Sequence, residues 1–461
     1  MYRKSLAVLL SAGLILSVNG VYAKNIPTSQ DNPSDTAFDN KIIKKIKADN
    51  MYDIVAKLSE QPRAAGTEGE LIGVNFIKDE FEKYGYETEL QPFTFLDVLV
   101  GTGTLEINGQ AYDPYVFSGS YSAKVTAEVL HVGKALNGEV PDEVKGKIAL
   151  IERGDIPFVW KLQNVLDKGA VGVIMYNHSG TSNRVGVANP GQDIPAVTIT
   201  KDQGLALVDQ LEAEPLTATI DVRDSGYVEN TSHNVIATKK PHKNKDTGQI
   251  VVVGAHHDSV SGGPGANDDA SGVSAVLEIA RVMANMQTDT EIRFVTFGAE
   301  ELGLLGSYHY VSTLEEEEID NIVAQFQMDM VGSKDSGGDH EAGGLIMYTI
   351  DGERNTVTDL GAAAGARTSE VIPYGQLGRS DHQPFYEVGI PAALFIHAPV
   401  EDSYHTPADT IDKIDKNKLK QTADIVGASV YQIARFDTPA LEHARVAPGP
   451  VDYEYDDRPV Q

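Results

Sequence analysis

Short apolar runs recur through the second half of this chain, and each ends against polar residues. Gln249 to Val253 (Gln-Ile-Val-Val-Val) is β-branched and reads as a buried strand, with His256 and Asp258 just past its end. Thr290 to Phe297 alternates apolar and polar positions, and Glu300 and Glu301 follow it. Ile322 to Gln327 leads into Asp329, and Pro391 to Ile396 precedes His405 across a loop. Between the first two runs, Ser271 to Met286 places Val273, Val276, Leu277, Ala280 and Met283 at helical spacing, the pattern of a crossover between parallel strands. Polar groups stationed repeatedly at the carboxyl ends of strands mark the ligand crevice of an α/β sheet.

The first half carries a different arrangement. Asp39 to Ser59 predicts one helix, with Ile42, Ile43, Ile46, Met51, Ile54 and Val55 on its buried face, and Glu68 to Tyr84 predicts another. Strands of the same kind resume only at His233 to Ala237. Between them lies a stretch with its own logic. Lys145 to Gly154 is a strand closing on a turn, and Phe158 to Lys168 is an amphipathic helix with Val159, Leu162, Val165 and Leu166 inward. Gly169 to Asn177 is a buried strand, and Ile194 to Val197 is a later one. The expected organisation is a catalytic domain in two pieces, 24–95 and 231–436, interrupted by an inserted domain at 96–230.

The ends and the composition narrow the setting. Arg3 and Lys4 precede an apolar run from Leu6 to Val18, and Val21-Tyr22-Ala23 closes in small residues, so residues 1–23 read as a removed export signal. That run is shorter than the roughly 20 residues a membrane-spanning helix needs. The expectation is a soluble mature protein, secreted from the cell. From Asp437 to Gln461 apolar periodicity fades and a flexible tail is expected. The 67 acidic and 38 basic residues give a net charge of −29, which excludes nucleic acid and anionic membrane as partners. With no cysteine, disulfides, thiolate metal sites and cysteine-based catalysis are excluded, and any metal ligand must be N or O. A chain of this length buries enough apolar surface to do without cross-links.

The runs His256-His257-Asp258, Asn267-Asp268-Asp269 and Glu300-Glu301, with Asp329 and His405, together supply two histidines and three carboxylates around which a pair of zinc ions could sit, with one carboxylate left over as a base. Taken singly, a His-X-Asp or a Glu-Glu pair is ordinarily a solvated surface feature; the joint order carries the argument. Gly262-Gly263-Pro264-Gly265 lacks the Lys-Ser/Thr ending of a phosphate loop and reads as the bend that returns Asp268 to His256. Asp258, two positions after His256 on an extended backbone, falls on the same side and can accept the second imidazole proton. Tyr404 can donate to an oxyanion. His257, His309 and His382 are assigned to packing.

The segments Gly-Ala-His-His-Asp-Ser-Val, Gly-Ala-Asn-Asp-Asp-Ala-Ser-Gly, Phe-Gly-Ala-Glu-Glu-Leu-Gly-Leu-Leu-Gly-Ser, Met-Asp-Met-Val-Gly and Tyr-His-Thr-Pro-Ala-Asp-Thr resemble those of secreted co-catalytic zinc aminopeptidases, the group including aminopeptidase Y and bacterial leucyl aminopeptidases. Arg63-Ala64-Ala65-Gly66-Thr67-Glu68-Gly69 resembles the start of that family's catalytic domain, and the stretch around 96–230 resembles the protease-associated domain that several peptidase families carry as an insertion. The resemblance implies an α/β fold, a mixed sheet sandwiched by helices. It implies two zinc ions per chain, with Asp268 bridging them, His256 and Asp329 completing one site, and Glu301 and His405 the other. It further implies attack on the peptide by a metal-bound hydroxide with Glu300 as general base, a free N-terminus on the substrate, Arg379 shaping the substrate site, and a cis peptide at Asp268-Asp269. Two zincs and three carboxylates leave a net charge of +1, which favours hydroxide over water. Two alternatives remain open: a carboxypeptidase on the same scaffold, which needs an arginine cluster where only Arg379 lies in a motif loop, and a receptor-like protein that binds without catalysis. The inserted domain is either a lid that guides substrate or a stabilising side domain.

Overall fold

All seven residues of the strand Ile250–His256 are buried, and it pairs in parallel on both sides, with Glu291–Phe297 and with Ile322–Met328. Such double burial is what a continuous β-branched run encodes. Ile322–Met328 pairs in parallel with Ala392–Ala398 in turn. Antiparallel neighbours follow on each side, Gly226–Lys239 against Glu291–Phe297 and Gly344–Thr349 against Ala392–Ala398. The result is a mixed eight-stranded sheet. Its register sets His256 beside Phe297 and Gly254 beside Gln327, so the parallel strands end together and their following loops emerge at one edge.

This is a computed structural model, and it describes residues 33–178, 186–334, 344–436, 438–441 and 445. The chain forms two units, Phe95–Asn230 and the remainder on either side of it. The export signal expected at 1–23 lies outside the described residues. Among those described, no helix is long and apolar enough to cross a membrane.

The helix Ala270–Met283 has 13 buried residues of 14 and forms the centre of the main core, with Ala48–Leu58, Glu68–Tyr84 and Lys416–Ala434 packed against it. It starts where the Asp269 carboxylate accepts from the Gly272 amide. Gly272 has no room for a side chain, since an added Cβ would lie 2.3 Å from the Met328 carbonyl.

The single helix expected over Asp39 to Ser59 is two, Pro33–Ile43 and Ala48–Leu58. The break is tertiary in origin. Buried Glu278 accepts from the Lys47 amide at 2.7 Å and from the Asn50 side chain at 3.1 Å, which holds Lys47 extended. Nothing local in the apolar spacing signals it.

The unit Phe95–Asn230 places Ile148–Glu152 and Gly172–Tyr176 side by side in parallel at the centre of its own strands. Alternate residues face opposite layers. Ile148, Leu150 and Ile174 pack with Leu207 of the helix Lys201–Ala213, while Ala149, Ile151 and Val173 pack with Leu162 and Val165 of Phe158–Asp167.

The tail expected to be flexible from 437 begins with anchored residues. Leu441 exchanges two hydrogen bonds with the Gln249 side chain, at 2.9 and 2.7 Å, and Arg445 donates to the Val388 carbonyl at 2.6 Å. A polar amide on Gln249 and a lone apolar Leu441 carry no periodic signal, so the sequence pattern misses this docking. Residues 446–461 lie outside the described residues.

Candidate active site

The Gly262–Gly265 bend turns the chain back after Ile250–His256, and Asp268 then faces His256. His256 Nε2 lies 3.1 Å from Asp268 Oδ1, 3.6 Å from Asp329 Oδ1 and 4.0 Å from Glu300 Oε2. His405 Nε2 lies 3.1 Å from Asp268 Oδ2 and 3.0 Å from Glu301 Oε2. Asp268 therefore divides its two oxygens between the two imidazoles. Two trios result, His256–Asp268–Asp329 and Asp268–Glu301–His405, each offering ligand atoms within 4.8 Å of one another.

His256 Nε2, Glu301 Oε1 and Asp329 Oδ1 are buried with no hydrogen-bond partner among the described residues. Leaving such atoms unsatisfied is costly. They cluster where a divalent ion would supply the missing partner, so the residues present fit a two-cation centre. Imidazole nitrogen with carboxylate oxygen suits zinc best, with manganese or cobalt also compatible.

Burial disfavours charge throughout, and mutual placement decides each outcome. Burial alone would strip His256 of its proton, but Glu300 and Asp329, with the contacts to Asp258 and Asp268, raise it well above the ordinary histidine value. His405 is opposed by burial in the same way, yet its contacts with Asp268 and Glu301 push it up to about 10. Burial and then the Asp268 charge raise Glu301 to about 7. Burial lifts Glu300 well above the carboxylate range, with Asp329, Asp381 and Glu301 adding to it and His256 opposing. Burial would raise Asp268 too, but its contacts with both histidines win and lower it.

The sequence model of peptidase family M28 matches residues 234–430, and that of the PA domain matches residues 119–207. Aminopeptidase YwaD of Bacillus subtilis is 38% identical over 409 residues, covering 84% of this chain and 85% of its own. The chain belongs to peptidase family M28. An aminopeptidase from Aneurinibacillus sp. strain AM-1 superposes with a TM-score of 0.72 at 49% identity, covering 90% of this chain and 99% of that one. A zinc aminopeptidase from Bacillus subtilis superposes with a TM-score of 0.65 at 37% identity, covering 85% and 95%. The fold is accordingly that of an M28 peptidase domain with a PA domain.

Around the two trios, supporting groups fix the candidate ligands from behind. Asp258 Oδ1 lies 3.4 Å from His256 Nδ1, and its two oxygens also accept from the amides of Glu300 at 3.0 Å and Glu301 at 3.2 Å. One carboxylate thus orients both the histidine and the Glu300–Glu301 backbone. Ser380 Oγ donates to Asp329 Oδ2 at 2.8 Å, leaving Oδ1 toward His256. Asp409 accepts from the amides of Asn267 at 2.8 Å and Asp268 at 3.0 Å. The Asp268-Asp269 peptide is cis.

Sequence reasoning did not single out Ser380 or Asp409. Asp409 lies in the Tyr-His-Thr-Pro-Ala-Asp-Thr motif and Ser380 follows Arg379, so both sat inside recognised segments. Their partners lie far away in sequence, and spacing cannot reveal such pairings.

Of the residues assigned to packing, His257 turns away, its Nδ1 3.1 Å from Thr296 Oγ1 and its Nε2 3.6 Å from Glu70. His309 stacks on Phe93 at 5.3 Å, and His382 donates to the Leu377 carbonyl at 2.9 Å. The Tyr404 ring stacks on His405 at 3.7 Å, and its hydroxyl is pushed up by burial and by the charges of Asp268, Glu301, Glu300 and Asp329. Arg379 is exposed beside Ser380. Ala299, Met330, Arg379 and His405 all have left-handed backbones, with φ of 54°, 55°, 68° and 56°. Non-glycine residues hold such conformations only where surrounding structure enforces them, as at functional sites.

These shifts set the response of the metal-free protein to pH. A histidine raised to about 10, as His405 is, stabilises the fold fully below its unfolded value of 6.5 and loses that contribution as pH rises toward 10. Glu301, raised to about 7, likewise favours the fold only while protonated. His382 and His397, lowered to about 4 by burial, act oppositely but only below about pH 6.5, where the unfolded chain takes up their protons. Chelator-treated protein should therefore melt several degrees lower at about pH 8.5 than at about pH 6.5. Calorimetry at the two pH values checks it, and an equal or higher midpoint at the alkaline value would contradict these assignments.

Proposed function

We propose that this protein is a secreted zinc-dependent aminopeptidase that releases residues one at a time from free peptide N-termini. The observation that carries this reading is the pair of ligand trios sharing Asp268, with Glu300 beside them and outside both. His256 and Asp329 would hold one zinc, Glu301 and His405 the second, and Asp268 both. When bound, zinc supplies Lewis acidity that polarises the scissile carbonyl and makes water a usable nucleophile near neutral pH.

The chain's own groups do the rest. Glu300 takes the proton from the attacking water and returns it to the leaving amine, a double duty open to a carboxylate that stands beside both ligand trios and belongs to neither. Tyr404 keeps its proton because burial and four carboxylates resist phenolate formation, so its hydroxyl serves as donor to the oxyanion. Glu300 and Asp329 offer negative charge to the substrate's terminal ammonium. Met330, Ile346, Leu394 and Ile396 form an apolar cluster flanked by Leu377, Val400 and Tyr404, contiguous in the chain with Asp329 and His405. Arg379 stands on the loop that also carries Ser380, which donates to Asp329. Several relatives are leucine aminopeptidases by name.

The test is a mass-spectrometric time course on one peptide with both ends free and on its N-acetylated form, with and without chelator. The mature protein is used, its intact mass starting at Lys24 if the leader has been removed. The expected result is a ladder shortening from the amino end, stopped by chelator and absent for the acetylated peptide. A ladder from the carboxyl end would transfer the assignment to a carboxypeptidase, and no cleavage with added zinc would point to a binding protein.

A further inference from the structure

Arg63 has no part in the chemistry above, yet it is among the largest fully buried side chains, 1% exposed. Its guanidinium bonds to main-chain carbonyls. Nε donates to His257 O at 2.8 Å, Nη1 to Leu58 O at 2.8 Å and to Pro264 O at 2.7 Å, and Nη2 to Gly265 O at 2.9 Å. Its backbone joins the same assembly. The Arg63 amide donates to Ser259 Oγ at 2.9 Å, Ser259 N donates to Arg63 O at 3.3 Å, and Ser259 Oγ reaches Gly263 O at 3.0 Å.

These contacts have one geometric effect. The residues 257–265 leave His256 and return toward Asp268, and a single planar group grips both limbs, His257 on the way out and Pro264–Gly265 on the way back. Gly265, at φ 60°, is packed so tightly that an added Cβ would lie 2.4 Å from Asp268 O and 2.6 Å from Ser259 Cβ. No neutral side chain has a fork of five donors to hold such a turn closed. Burial is costly for a cation lacking a directly bonded carboxylate, and the charges of Asp258, Asp269, Asp409 and Asp268 offset only part of that cost.

We infer that Arg63 is a positioning residue for the metal centre, which fixes the approach of His256 to Asp268 by clamping both limbs of the connecting loop and so sets cation affinity without touching cation or substrate. The inference rests on the two-ion reading above. Because the clamp acts on His256 and Asp268, it bears most on the trio that contains both.

The test compares zinc affinities of the parent and Arg63→Lys by chelator competition on the full mature chain, with circular dichroism and thermal midpoints of the metal-free proteins alongside. Lysine keeps the charge but cannot span four carbonyls from one ammonium. The expected result is a folded variant whose zinc site containing His256 and Asp329 weakens by about 10- to 100-fold, as loss of outer-shell support does elsewhere. The site of Glu301 and His405 should change less. Both affinities within about twofold of the parent, even with a lowered midpoint, would overturn the inference and leave Arg63 a residue of the fold alone. Should Arg63→Lys not fold, Ser259→Ala removes the hydroxyl bridge while sparing the guanidinium. It should weaken the same site in the same direction by a smaller factor, and unchanged affinity there would overturn the inference equally. A parent that binds no zinc would defeat the two-ion reading itself.

Discussion

Glu300→Gln should leave zinc content at the parental level and lower kcat by about 10²- to 10⁴-fold, the range expected for loss of a positioned general base. Glu300 lies outside both trios, and its nearest oxygen is 4.0 Å from His256 Nε2, so glutamine keeps the volume without removing a ligand. Its backbone is held independently by Asp258, which accepts the Glu300 amide at 3.0 Å, so the substitution should not displace Glu301. The side chain is buried near His256, Asp329, Asp381 and Glu301, and its burial, with the three carboxylates adding, raises its affinity for a proton in the protein without metal. Zinc analysis beside steady-state kinetics separates the two effects. Near-normal turnover would remove Glu300 from the role, and lost zinc would make it a ligand rather than a base.

Asp268→Asn carries the largest effect on metal. Asp268 is common to both trios, with Oδ1 directed to His256 and Oδ2 to His405, each at 3.1 Å. An amide offers one ligand oxygen where the carboxylate offers two, and it removes a full negative charge from the centre proposed to hold two dications. Both zinc affinities should fall by more than about 100-fold, beyond the range seen for residues that only support a ligand. Peptide cleavage should disappear at micromolar zinc. Chelator competition is the direct check, and a variant that still holds two zincs tightly would refute the bridging role. Glu300→Gln and Asp268→Asn are therefore a diagnostic pair, one silent in metal content and the other dominated by it.

Much of the sheet was legible before the fold was known, for a simple reason. Buried strands show in the chain as apolar runs, and Ile250–His256, Glu291–Phe297, Ile322–Met328 and Ala392–Ala398 lie within one to three residues of where those runs predict them; His256, expected just past the end of its run, is the last residue of its strand. The helix Glu68–Tyr84 has local punctuation at both ends, with Thr67 accepting from the Glu70 amide and Gly85 left-handed at φ 93°. The break between Pro33–Ile43 and Ala48–Leu58 was illegible, because its cause, Glu278, lies 231 residues from Lys47.

The sequence by itself determined which residue types stand at the strand ends and in what order. Histidine and carboxylate without cysteine confine any metal site to N and O ligands, and strand periodicity puts those residues at one edge of a sheet. Distance was decided only by the tertiary structure. Asp268 meets His405 and Ser380 meets Asp329 because separate loops converge over that edge. Asp258 is shared between an imidazole and two amides, Asp409 reaches back to the Asn267–Asp268 amides, and Arg63 grips a loop nearly two hundred residues away. Such contacts arise from packing between distant segments, and a side chain's partner across that separation leaves no periodic trace in the chain that carries it.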